Sequence, residues 1–236
     1  MNKWIPLSLL ALHGGLSVYA GELLMLKPGK AIHDLEFNDA KEVTKKTVGS
    51  RKETKIKVEN GQLIAIPPVV AYEGMNKDTK WAKSSFSRIN FNNVPKEYSA
   101  QFKFLHSKTD DKKCKLYIDL GHRCIRATVA RTGTTLLIEN HLYGKGGDVT
   151  SKVLAENKNL KLKDDHWYDI SVEVKGDEVL VQIDDIKLYA KDPLIAKNKA
   201  GSLNLDATGR GFLVESMKIL EAGDFKSDWE STKSTL

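Results

Sequence analysis

Apolar residues recur at every second position in the run DISVEVKGDEVLVQIDD, residues 169–185. Strand side chains alternate between two faces, so Ile170, Val172 and Val174 share one face and Asp169, Ser171 and Glu173 the other. Gly176-Asp177 suits a two-residue hairpin turn, because glycine tolerates the positive φ that such turns need. A turn there sets Val174 opposite Val179, Val172 opposite Val181 and Ile170 opposite Ile183, a register that a slip of one residue would destroy. The second face carries Asp169, Ser171, Glu173, Gln182 and Asp184, with Leu180 as its exception, and reads as wet.

The pattern repeats along the chain. IKVENGQLIAI, residues 56–66, predicts a hairpin about Asn60-Gly61 with Val58 opposite Leu63. Strands are expected over 97–107, 135–140, 201–207 and 211–222. In KKCKLYIDLGHRCIRATVAR, residues 112–131, a turn at Gly121-His122 pairs Ile118 with Ile125, Leu116 with Ala127 and Tyr117 with Arg126. Residues 21–55 are mixed and polar, their charged run KEVTKKTVGSRKETK (41–55) reading as a solvated loop or edge; 69–85 reads as a loop carrying Tyr72 and Trp81, and 141–159 as a Gly-rich loop. No long segment has a helical repeat. Roughly ten short strands between Gly, Asn, Asp and Pro turns predict an all-β protein, a sandwich or barrel of two packed layers.

The first twenty residues stand apart. Lys3 precedes the apolar stretch WIPLSLLALHGGLSV, and Val18-Tyr19-Ala20 offers small residues for cleavage. This predicts a secretory signal peptide over 1–20, a domain over 21–222 and a polar tail over 223–236, loose or weakly docked. No later apolar run is long enough to span a bilayer. The expected location is secreted or periplasmic. The formal net charge of the whole chain is +6, and Lys3 is the one charge in the leader. The lysines are scattered, which suits a solvated surface or attraction to an acidic polysaccharide. Nucleic acid is not expected, since no binding motif is present. Export favours a disulfide between Cys114 and Cys124. The register sets them on opposite faces, which argues against one.

Four stretches carry a resemblance: VENGQLIAI (58–66), NVPKEYSAQFKF (93–104), LKLKDDHWYDISVEVKGDEVLVQIDD (160–185) and AGSLNLDATGRGFLVESMKILEA (200–222). Together they are similar to the secreted bacterial 3-keto-disaccharide hydrolase domain family, which implies a concanavalin A-like jelly roll, a sandwich of two antiparallel sheets. The resemblance implies a carbohydrate-active protein that cleaves 3-keto-glycosides. The family's Asn-Ser-Gly segment has no counterpart in TDDKKCKLYIDLGHRC, residues 109–124, nor has its downstream Tyr-Glu-x-Gln segment, so no catalytic residue carries over by position. Trp167 looks architectural in this family, and a core role is expected for it rather than sugar stacking.

Motifs for other chemistries are missing. The E-x-D-x-E spacing that puts three acids on one strand face does not occur. Asp110-Asp111, Asp164-Asp165 and Asp184-Asp185 are adjacent pairs, better suited to turns than to acid/base dyads. His33, His106, His122, His141 and His166 lack metal-ligand spacing, so neither a metal nor a cofactor is expected. G-x-S-x-G is absent, and YGKGGDVTS (143–151) lacks the Ser or Thr that a phosphate loop places after its lysine.

The polar face of the middle hairpin offers the best site: Lys115, Tyr117, Asp119, Cys124, Arg126 and Thr128. An aromatic ring beside a guanidinium and a carboxylate suits a polyhydroxylated ligand, the ring covering C–H faces and the charged groups bonding hydroxyls. Glu139 and His141, one strand later, are expected to border the same groove. If the protein is hydrolytic, Asp119 or Glu139 is the expected acid/base, with Tyr117, Arg126 and His141 holding substrate. The alternatives are a non-catalytic carbohydrate-binding or adhesion module using the same groove, and a structural envelope protein whose basic surface holds acidic polymer. The sequence leaves the oligomeric state open.

Overall fold

The structure is a computed structural model that describes residues 21–50, 54–67, 86–107, 114–121, 125–141, 149–197, 199, 201–208 and 211–236. Among the described residues fifteen strands follow one another: β1 (Leu26–Leu35), β2 (Val48–Ser50), β3 (Lys55–Glu59), β4 (Gln62–Ile66), β5 (Phe86–Val94), β6 (Tyr98–His106), β7 (Lys115–Leu120) and β8 (Ile125–Ala130). β9 (Gly133–His141), β10 (Val149–Asn157), β11 (Trp167–Lys175), β12 (Glu178–Ile183), β13 (Ile186–Lys191), β14 (Gly201–Thr208) and β15 (Phe212–Phe225) complete them. A short helix, α1 (Trp229–Lys233), closes the chain.

Every strand pair is antiparallel, and the strands form two sheets. One has eight strands in the order β13-β12-β11-β6-β15-β4-β3, with β1 along the later part of β15. The other has seven, in the order β10-β9-β8-β7-β14-β5-β2. Phe102, Phe104, Ile170, Val172 and Met217 of the first pack on Ile89, Phe91, Ile118, Leu136 and Leu205 of the second, all wholly buried. Each such side chain contributes about 1.5–3 kcal/mol of burial. His33 adds a polar tie, its Nε2 lying 2.6 Å from the carbonyl oxygen of Asn92. The all-β, concanavalin A-like jelly-roll sandwich expected from the sequence is therefore the fold.

Two hairpins have the expected registers. β11 and β12 pair Val174 with Val179, Val172 with Val181 and Ile170 with Ile183. β3 and β4 pair Val58 with Leu63, with Asn60 and Gly61 at φ 52° and 72°, the left-handed values that a type I′ turn requires. Asp165 and Asp184 also have positive φ and sit in turns, as the adjacent acid pairs suggested. Asp110-Asp111 lies outside the described residues.

Other expectations are corrected. Strand β1 lies where none was expected and 141–159 contains the edge strand β10, whereas β2, within the charged run 41–55, is an edge strand, one of the two readings given for that run. Edge strands tolerate the charges and the Pro28-Gly29 break that hid the alternation. β5 and β13 lie where no strand was expected. In the middle hairpin Ile118 faces Ala127 and Leu116 faces Val129, a shift of two residues, because the connection spans residues 121–124. A shift of two preserves the faces but changes the partners. Cys114 is buried on the apolar face, as expected. Cys124 lies outside the described residues.

The face of β11 and β12 expected to be wet is covered. Ser171, Glu173, Leu180 and Gln182 are all buried. Residues 21–26 cross this face, and the Glu173 carboxylate accepts backbone N–H bonds from Leu24 (2.8 Å), Met25 (3.0 and 3.1 Å) and Leu26 (2.6 Å). Burial pushes the Glu173 carboxyl up, and those three N–H groups pull against it. The tail is docked rather than loose: Trp229 is 2% exposed and packs with Met25, Leu26 and Leu180. Its Nε1–H donates to Glu178 at 2.9 Å. Lys226 ties the ends together, its backbone N–H donating to Met25 at 2.9 Å. Trp167 is half-buried and lies on the same side of β11 as Asp169, while Tyr168 takes the core position expected for Trp167.

Candidate functional site

The outer face of the seven-stranded sheet is built by alternation. β5 reads Arg88, Asn90, Asn92 outward and Ile89, Phe91 inward; β14 reads Ser202, Asn204, Asp206 outward and Leu203, Leu205 inward. β7 and β8 add Tyr117, Asp119, Arg126 and Thr128. The registers align these side chains in two rows across the strands. One runs Gly49, Asn90, Asn204, Asp119, Arg126, Leu137, Val153. The other runs Arg88, Asp206, Tyr117, Thr128, Thr135.

Four charges interlock at the centre. Arg126 donates to Asp119 through Nε and, at 3.2 Å, through Nη2. Arg88 donates through Nε and Nη2 to Asp206, and its Nη2 lies 3.5 Å from Asp119. The carboxylates sit beneath: Asp119 is 0% and Asp206 1% exposed, whereas the Arg88 and Arg126 side chains keep 17% and 20%. Burial pushes the Asp206 carboxyl up to about 6, outweighing the downward pull of Arg88, and the Asp119 charge adds to the rise. The hydrogen bond to Asp206 in turn raises Arg88. The Arg126 guanidinium carbon lies 5.2 Å from the centre of the Tyr117 ring, a cation–π contact that fixes ring and cation as one surface.

Tyr117, Asp119 and Arg126 are therefore brought together, on the outer side and not between the layers. The pairing differs from expectation: Arg126 faces Asp119, Tyr117 faces Thr128, and the Tyr117–Arg126 contact is diagonal. Glu139 and His141 belong to β9, paired with Ser151 and Val149, and their side chains lie outside the described residues. Arg88, Asn90, Asn204 and Asp206 were missed. Their signal was the alternation in SRINFN, where no strand was read, and in SLNLDA, read as a strand without its polar face. Among the described residues no group of three His, Cys, Asp or Glu could hold a metal, and no helix is long and apolar enough to cross a membrane. The Gly-rich segment 142–148 lies outside the described residues.

The fold places the chain among concanavalin A-like jelly rolls. It is similar to LamAcat from Zobellia galactanivorans (12% identity, 81% of this chain and 98% of that one, TM-score 0.52). It is similar to a glycoside hydrolase family 16 endo-glucanase from Bacteroides ovatus (9%, 80% and 99%, TM-score 0.52). A third likeness is to the CBM2 module of an evolved Dit protein from Lactobacillus casei BL23 phage J-1 (8%, 85% and 98%, TM-score 0.53). At these identities the likeness is one of fold. No family model matches the chain and no curated protein matches it, so the 3-keto-disaccharide hydrolase resemblance is upheld only as far as the jelly roll.

Proposed function

We propose that this is an exported carbohydrate-binding jelly roll whose ligand lies on the outer face of the seven-stranded sheet, against Tyr117, Arg126 and Arg88. The observation carrying this reading is the layering of the charges. Both described carboxylates are buried beneath the guanidinium groups they hold, so the face offers a ring and two fixed cations, which suit sugar C–H faces and hydroxyls. Asp119 and Asp206 then act by orienting arginines. Solved structures of similar fold include a CBM2 module and an endo-glucanase, which agrees with a sugar ligand. A charged partner such as an acidic polysaccharide would meet the same two cations.

The test is a glycan array of neutral and acidic sugars probed with the wild type and Tyr117→Ala. Binding lost at least tenfold in Tyr117→Ala supports the site. Binding that survives unchanged, or none to any sugar, sinks it. A second reading is cleavage of 3-keto-glycosides at this face with Asp119 or Glu139 as acid/base, and it is favoured by one observation. Burial raises the Asp206 carboxyl to about 6 within the same charged cluster, and a strongly shifted acid is a mark of functional sites. Turnover of a 3-keto-glycoside panel, abolished in Asp119→Asn or Glu139→Gln, would establish it; no turnover of any member would remove it.

A further inference from the structure

An open cavity of about 460 Å³ lies at one end of the sandwich, lined by Ile32, Asn93, Val94, Pro95, Gly201 and Glu221. Four strands meet there: β1 brings Ile32, β5 ends in Asn93 and Val94, β14 begins at Gly201 opposite Val94, and β15 carries Glu221. The volume falls within the roughly 300–1,000 Å³ of small-ligand sites. Ile32, Val94 and Pro95 give it apolar walls. Gly201 leaves its mouth open, since a Cβ there would meet nothing within 4 Å. Lysines surround it. Asn93 Nδ2 donates to the Lys46 carbonyl at 3.0 Å and Asn92 Nδ2 to the Lys45 carbonyl at 3.3 Å, which fixes those two residues beside the end of β5. Lys30 lies two residues before Ile32, Lys96 follows Pro95, and Lys199 lies two residues before Gly201. All five are exposed, and none forms an ion pair among the described residues. Two acids lie among them. Glu221 is exposed and likewise unpaired, and Glu97 Oε1 accepts from the Gly176 N–H at 3.1 Å.

We infer that this cavity is a second binding site, which takes a sugar unit bearing a carboxylate or sulfate group. That the ligand is a sugar rests on the carbohydrate reading above; its position does not depend on the Tyr117 face. The two places differ in kind. The arginines beside Tyr117 are held by buried carboxylates, whereas the lysines here carry charge that nothing in the protein offsets. An acid group therefore gains more at the cavity. The ammonium groups stand on flexible stems that can close on it from several sides. Glu221 selects against a bare polyanion. A phosphate chain brings acceptors alone and is repelled by that carboxylate, while a sugar brings hydroxyl donors for it to accept. Asn93 Nδ2 is committed to Lys46, which leaves Oδ1 for a further hydroxyl. Ile32, Val94 and Pro95 cover the C–H face of the ring.

The experiment measures affinity at low salt for digalacturonate, its neutral methyl ester, a sulfated galactose disaccharide and tripolyphosphate, with wild type, Gly201→Phe, the double variant Lys46→Ala/Lys199→Ala, and Tyr117→Ala. Phenylalanine suits a strand and fills the mouth of the cavity, and thermal unfolding checks that each variant is folded. The wild type should bind one or both acidic disaccharides at least tenfold more tightly than the ester or tripolyphosphate, and the two acidic arms tell carboxylate from sulfate. Gly201→Phe should lower that affinity at least tenfold and leave any Tyr117-dependent sugar binding in place. The lysine pair should lower it severalfold and flatten its salt dependence. Unchanged affinity in folded Gly201→Phe or in the lysine pair, equal binding of the ester, tripolyphosphate bound as tightly as the sugars, or no binding of either acidic disaccharide would each overturn the inference. Acidic-sugar binding lost in Tyr117→Ala and kept in Gly201→Phe would overturn it while leaving the Tyr117 site standing.

Discussion

Replacing Asp119 by Asn keeps the shape of the side chain and removes its charge. In the wild type that charge is wholly buried, meets two Arg126 nitrogens and lies 3.5 Å from a third on Arg88. Removing one member of a buried ion pair costs about 3–5 kcal/mol, chiefly because the other charge is left without a counter-charge. Here the arginine side chains keep 17% and 20% exposure, so water recovers part of the loss. The expected cost is about 2–3 kcal/mol of unfolding free energy, allowing for that exposure. Urea denaturation with an unchanged m value measures it. Arg126→Gln and the double variant complete a cycle. If the two groups act as one unit, the double variant costs less than the separate costs combined by about 1 kcal/mol or more. An Asp119→Asn protein within about 0.5 kcal/mol of wild type, or a cycle without coupling, would show that the pair does not hold the face together.

Other outcomes follow from the same structure. Asp206 has its folded value raised to about 6, above that of the unfolded chain, so its contribution is complete at pH below the unfolded value and is lost as pH rises towards 6. Between about pH 4 and 6.5 the wild type should lose on the order of 2–3 kcal/mol relative to Asp206→Asn, and a pH-independent difference would contradict the burial argument. Trp229→Ala should cost about 3 kcal/mol by emptying the Met25–Leu180 cluster. Trp229→Phe should cost less, about 1 kcal/mol for the lost Glu178 bond plus some packing, and calorimetry that ranks the two equally would refute the docking.

The β11–β12 register was legible because three apolar pairs and a turn pair agree on one answer, and each is local. The cover on that hairpin was not legible, because Glu173 meets Met25 from 148 positions away and a buried acceptor of backbone N–H groups looks in sequence like any exposed glutamate. Tyr117, Asp119 and Arg126 were found because alternation fixes a face even when the register is off by two. Arg88 and Asp206 were missed because β5 and β14 lie more than a hundred residues apart, and only the folded sheet makes their rows continuous. The lone Trp229 in a charged tail was the visible sign of docking, since a large aromatic seldom stands in water without a partner.

The anchoring of residues 21–26 and of Trp229 on the eight-stranded sheet has a practical consequence. Lys226 joins the two segments, so whatever precedes residue 21 or follows residue 236 leaves from the side of the sandwich turned away from Tyr117. A molecule tethered to a support, a fusion partner or an envelope through either end would hold its arginine-and-tyrosine surface outward, where a long polymer has room to approach.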